Sequence, residues 1–208
     1  MASDGDEQDH SDDEHEEGHP GEEGDDDHDH SGEDPHFFTD PVRMAAAVDG
    51  IVDFLQDTVE FADPDAIGAS ADVYLEALTE LDADVSEIVS GVPEEERVLV
   101  TNHQVFGYFA DRHGFEVIGA VIPSGTTVDT TSGGELDELG ELIEAEGVRA
   151  IFSDTSASDE FIRTLADEVG DVDVVALYTE SLGAPGSDGS TYLDMVRTNS
   201  ERIVDALE

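Results

Sequence analysis

The 208 residues of this chain include no cysteine and no lysine. The first absence excludes disulfides, thiolate metal sites, dithiol redox motifs and cysteine nucleophiles. The second leaves arginine to supply all 7 basic residues against 55 acidic ones, for a net charge of −48. So few cations exclude nucleic acid as a partner, because phosphates need Lys and Arg to neutralise them. An anionic membrane surface is excluded on the same ground. No run approaches the ~20 apolar residues of a membrane span, so this chain is not expected to insert into a bilayer. The start, MASDGDEQDH, has no basic n-region and no apolar h-region, and no secretory signal is read there.

Acidity of this degree destabilises a compact fold by self-repulsion in dilute buffer. At molar salt the Debye length falls to about 3 Å and most of that repulsion vanishes. Carboxylates continue along the polar faces of every expected helix, so the charge reads as adaptation to a high-salt milieu.

Six of the eight histidines lie between Asp9 and Pro41, in a nearly continuous field of aspartate and glutamate. Residues 1–34 contain no Val, Ile, Leu, Phe or Tyr, cannot bury apolar area and are expected to be disordered. From Asp40 a helix is expected, with Pro41 in its first turn and Met44, Val48, Ile51, Val52 and Leu55 at helical spacing. A second, longer helix follows from Pro64, with a stripe of Val73, Leu75, Leu78, Leu81, Val85 and Ile88; Gly91 and Pro93 end it.

After Pro93 strands and helices alternate. Strands are expected at 98–100, 117–122, 149–152 and 172–178. Helices are expected at 105–112, from a capping box at Ser132–Glu135, at 158–169 and at 191–207. Four βα units predict an α/β fold, a four-stranded parallel sheet with helices on both faces.

Ligands of such sheets bind beyond the carboxyl ends of the strands. His103 follows the first strand, Asp154 the third and Glu180 the fourth. Asp154, followed by Thr and Ser before a helix, reads more readily as a helix cap. His103 and Glu180 are not favoured caps and stand where ligands go. Imidazole with carboxylate suits Zn²⁺ or Mn²⁺ and not Ca²⁺, which takes oxygen only. His36, on the connection before the first helix, could supply a third ligand.

DPHFFTDP, VTNHQVFGYFADRHGFEVIGAV, IFSDTSASDEFIRTLADEVG and LYTESLGAPGSDGSTYLDMVRTNSERIVDAL resemble, in that order, the zinc and manganese solute-binding proteins of ABC-type importers, the cluster A-I or high-affinity zinc uptake family. The resemblance covers His36 to Glu208 and includes an acidic, histidine-rich segment before the Asp-Pro-His motif. It implies two α/β lobes joined by one long helix, Pro64–Val92, with metal between the lobes. His36, His103 and Glu180 match three metal ligands, although the family usually has aspartate at the last position. His103 leans towards zinc. The implied organisation is a disordered segment at 1–35, a remnant of an N-terminal lobe with the linking helix at 36–93, and a C-terminal metal-binding lobe at 94–208. The family's first hundred residues or so, with a further ligand histidine, an export signal and a lipid anchor, have no counterpart in this sequence. The resemblance implies a non-catalytic monomer that gives metal to an ABC permease at the extracellular face of the membrane.

Two other readings compete. A zinc hydrolase needs three protein ligands and an open position, yet HExxH and GxSxG are both absent. A stand-alone acidic, histidine-rich metal buffer would place all binding in the first 34 residues.

Overall fold

Asp40 and Asp63 start the first two helices in the same way. Each is extended, its carboxylate accepts a hydrogen bond from a backbone N–H two or three residues on, and a proline fills the first helical position. Helix α1 spans Pro41–Thr58 and α2 spans Pro64–Val89. The computed structural model describes residues 34–60, 63–101, 103–120, 133–155, 160–170 and 172–208. The expected disorder of the first 33 residues, the capping role of Ser132 and the end of the second strand at Ile122 lie outside the described residues.

Beyond Pro93 the alternation is as expected: β1 Val98–Thr101, α3 Gly107–His113, β2 Glu116–Ala120, α4 Gly133–Glu146, β3 Ala150–Asp154, α5 Glu160–Val169, β4 Asp173–Leu177 and α6 Tyr192–Leu207. The strands form one sheet in the order β2-β1-β3-β4, with every pairing parallel. The chain reverses its direction of travel across the sheet between β1 and β3. That reversal opens a crevice at their carboxyl ends.

Alternation along each strand divides the core into two layers. Leu99, Ala150, Phe152 and Leu177 face α2, α3 and α6, among Leu78, Leu81, Val85, Phe109, Val196 and Ile203. Val100 and Ile151 face the other way, onto Leu139, Ile143, Ile162 and Leu165 of α4 and α5. Burying a leucine such as Leu78 or Leu81 contributes about 1.5–3 kcal/mol, so this sandwich fixes where the strand ends stand.

Three expectations need correction. Val73 and Ile51, placed on the apolar stripes of their helices, are exposed, together with Val42 and Phe54. Helical spacing shows that side chains share a face but not that the fold covers that face. Helix α3 begins at Gly107, two residues later than expected, because Val105 and Phe106 are buried in the approach to it. It ends at Gly114, whose φ of +71° is a left-handed conformation that suits glycine.

Arginine supplies much of the polar fastening. Arg97 donates to the carbonyls of Val89, Val92 and His113, tying the end of α2 to the end of α3. Arg149 donates to the carbonyls of Leu207 and Glu208 at the end of α6 and pairs with Glu96. Arg202 donates to the carbonyl of Ala176 in β4, and Arg112 and Arg197 hold Asp82 and Asp84 on α2.

His113 closes α3 with its ring against Phe109, centroids 4.9 Å apart, and its Nε2 has no hydrogen-bond partner among the described residues. Burial pushes its pKa below the ordinary imidazole value; Asp82 and Asp40 oppose this, and Arg112 and Arg97 add to it. In the unfolded chain the imidazole takes up its proton near the ordinary value of about 6.5. The unfolded state therefore gains protons first as pH falls through that value, and stability declines, by at most about 1.4 kcal/mol per pH unit for this group. Denaturant titrations from neutral to mildly acidic pH should show a shallower decline in His113→Phe than in the wild-type protein. Equal slopes would mean that His113 is not the group responsible.

Candidate metal centre

Three separate segments deliver the donor atoms. His36 follows Asp34-Pro35 and precedes a single 3-10 turn, Phe37–Thr39, in which both the N–H and the hydroxyl of Thr39 donate to the His36 carbonyl at 3.0 Å. Two tyrosines fasten this segment to the α/β layers. Tyr108 of α3 donates to the Asp34 carbonyl at 3.0 Å, and Tyr192 of α6 to the Phe38 carbonyl at 2.8 Å. Burial pushes the Tyr192 phenol well above its ordinary pKa, so it remains a donor.

His103 stands just past β1, where the Thr101 hydroxyl donates to its carbonyl at 2.7 Å. Glu180 stands just past β4, on a loop gathered around the Tyr178 ring. Asn199 of α6 accepts from the Tyr178 N–H at 2.9 Å and donates to the Tyr178 carbonyl at 2.7 Å. The Tyr178 hydroxyl donates to Asp188 at 2.6 Å, and Arg202 lies 5.0 Å over the ring while pairing with Asp188 at 2.8 Å. Tyr178 and Arg202 hold the Asp188 carboxyl below the usual carboxylate range. Gly189 packs on the ring edge so closely that an added Cβ would lie 2.3 Å from Tyr178 Cε2.

His36, His103 and Glu180 converge. Glu180 Oε1 lies 2.8 Å from His103 Nε2 and 3.7 Å from His36 Nε2. The two imidazole centroids are 5.8 Å apart with planes inclined at 68°. One donor atom from each residue falls within 4.8 Å of the others, the one such grouping of three His or acidic residues among the described residues. The histidines are half-buried and the glutamate is exposed, so the cluster opens to solvent on one side. Two neutral imidazoles and a carboxylate are a donor set for Zn²⁺, with bonds of about 2.0–2.2 Å. Donors bound to one tetrahedral ion at those bond lengths stand roughly 3.3–3.6 Å apart, so the 2.8 Å contact of His103 with Glu180 would open and the 3.7 Å contact of His36 with Glu180 would close slightly.

Asp154 closes β3, is buried, and its Oδ2 accepts the backbone N–H of Glu180 at 3.3 Å. Its carboxylate therefore supports the Glu180 loop; residues 156–159, between Asp154 and the first described residue of α5, lie outside the described residues, and with them the expected capping. The residues that sequence reasoning missed are Asp34 and the set of Tyr178, Asp188, Asn199 and Arg202. The Asp-Pro-His spacing already held a signal for Asp34, whereas the Tyr178 set brings together residues 10 to 24 positions apart and carries no local pattern.

A parallel sheet preceded by a long helix, with imidazoles and a carboxylate at its carboxyl edge, has the architecture of an α/β solute-binding protein. The chain belongs to the family described as ZnuA, zinc-uptake complex component A, periplasmic, which it matches over residues 2–206. It is similar to the manganese-binding lipoprotein MntA of Halalkalibacterium halodurans, 30% identical over 180 residues, and to MntA of Bacillus subtilis, 31% identical over 182 residues. Those alignments take in 85% and 84% of this chain and 58% of each relative. The zinc-binding protein TroA of Treponema pallidum is 35% identical over 139 residues, 64% of this chain and 44% of TroA. The solved structure of the periplasmic zinc-binding protein TroA superposes with a TM-score of 0.76 at 31% identity, covering 84% of this chain and 64% of that one. The chain thus spans little more than half the length of the MntA relatives it matches.

Proposed function

We propose that this chain is the metal-binding component of an ABC-type importer, holding Zn²⁺ at His36, His103 and Glu180 for delivery to a membrane permease. The observation that carries this reading is the convergence of those three donor atoms within 4.8 Å in a member of a zinc-uptake family. Two imidazoles against one carboxylate favour zinc over manganese, which prefers oxygen; similar proteins are described as binding one or the other. On this reading the protein is a carrier at the extracellular face of the membrane and catalyses nothing. Residues 36–93 form the linking helix and part of an N-terminal lobe, and 94–208 form the C-terminal lobe. The exposed apolar side chains of α1 and α2 (Val42, Ile51, Phe54 and Val73) suit packing against the rest of a two-lobe fold. The carboxylate excess suits a high-salt milieu.

The test is a zinc titration of the intact chain against a competing chelator, repeated with His10, His15, His19, His28 and His30 all replaced by asparagine. One tight equivalent should survive the replacement while weaker equivalents disappear. Loss of the tight equivalent would assign metal binding to the histidine-rich segment and favour the stand-alone buffer.

A further inference from the structure

We propose that Asp34 is the positioning residue that turns Nε2 of His36, and not Nδ1, towards the metal. This rests on His36, His103 and Glu180 being the ligands. A single oxygen, Asp34 Oδ1, lies 2.9 Å from the His36 backbone nitrogen and 2.6 Å from His36 Nδ1. It thereby fastens the ring of His36 to its own backbone. An ionised carboxylate can only accept hydrogen bonds, so Nδ1 must carry the proton and Nε2 keeps its lone pair. Nε2 is also the nitrogen that faces Glu180, across from His103 Nε2.

Asp34 is itself held in place. Its carbonyl accepts from Tyr108, whose ring lies 4.1 Å beneath the Arg43 guanidinium. Its other carboxylate oxygen sits over the bare backbone of Gly107, where an added Cβ would approach to 3.1 Å. Without Asp34 the imidazole could exchange tautomers and rotate, and each would reduce the time Nε2 spends ready to bind. Partners of this kind on a metal-bound histidine change affinity by roughly 10- to 100-fold.

The experiment uses the full chain and Asp34→Asn, which keeps the side-chain size but whose neutral amide can either accept from or donate to Nδ1, so that it no longer selects one tautomer. Zinc affinity of the tightest site should fall by about 10- to 100-fold, with the thermal midpoint of the metal-free protein unchanged. Nitrogen-15 correlation spectra at alkaline pH should show His36 in the Nδ1–H form in the wild-type protein and as a tautomer mixture in Asp34→Asn. Wild-type zinc affinity in Asp34→Asn, or an Nε2–H tautomer in the wild-type protein, would overturn the proposal. Should stability and affinity fall together with the tautomer unchanged, the role is structural and the proposal is likewise overturned. His103→Ala separates the two levels. If it leaves tight zinc binding intact, the ligand assignment fails; if it removes that binding while Asp34→Asn does not, only the role of Asp34 fails.

Discussion

Replacing His103 or Glu180 by alanine is expected to weaken the tightest zinc site by on the order of 100-fold or more. The estimate follows from structural zinc sites, where apparent binding free energies of about 10–16 kcal/mol are shared among four ligands, so each is worth roughly 2.5–4 kcal/mol. His103 and Glu180 stand on loops past β1 and β4 and are at least partly exposed. Their truncation opens no cavity in either core layer. The metal-free variants should therefore melt close to the wild-type temperature, and the loss should appear only in chelator competition. Weak binding to the histidines of the first 34 residues should persist. If His103→Ala and Glu180→Ala both keep the tight equivalent, the convergence of donors is incidental and the metal is bound elsewhere.

The second large effect concerns salt. With 55 acidic residues against 7 arginines, repulsion acts over about 10 Å at 0.1 M salt but only about 3 Å at 1 M. The groove between α4 and α5 shows the problem in miniature: Asp137, Glu141, Glu144 and Glu168 line it with no basic residue among them. Several kcal/mol recovered by screening correspond to a rise of roughly 10–20 °C in the thermal midpoint for a domain of this size. The rise should come mainly below about 1 M sodium chloride, where the Debye length changes most. A midpoint that is flat from about 0.05 to 2 M would remove the high-salt reading, since no screening length in that range would then matter.

The order of strands and helices after Pro93 was legible because apolar runs, caps and glycines recur at short range. The position of His103 and Glu180 at one edge followed from that order, as parallel strands put all their carboxyl ends on one side. The sequence did not disclose which helix faces are covered. Val73 and Leu78 read alike in a periodic pattern, yet one is exposed and the other fully buried. The contact made by Asp154 was hidden for a related reason. The Thr and Ser after it suggest a cap, and only the closeness of β3 to β4 reveals that its carboxylate meets the Glu180 backbone. Local chemistry fixes what a residue can do, and long-range packing decides what it meets.

The absence of lysine gives the arginine fastenings a practical consequence. Trypsin can cut this chain only after arginine, and Arg97, Arg112, Arg149, Arg197 and Arg202 each bond across separate elements. Each such bond must be hidden from the protease while its side chain is engaged, so cleavage reports the opening of a named contact. Cutting after Arg97 marks parting of α2 from α3; cutting after Arg149 marks release of the chain's last turn. Cutting after Arg202 marks α6 leaving β4, and with it the backing of the Glu180 loop. A time course of tryptic fragments thus gives a map of which seam yields first.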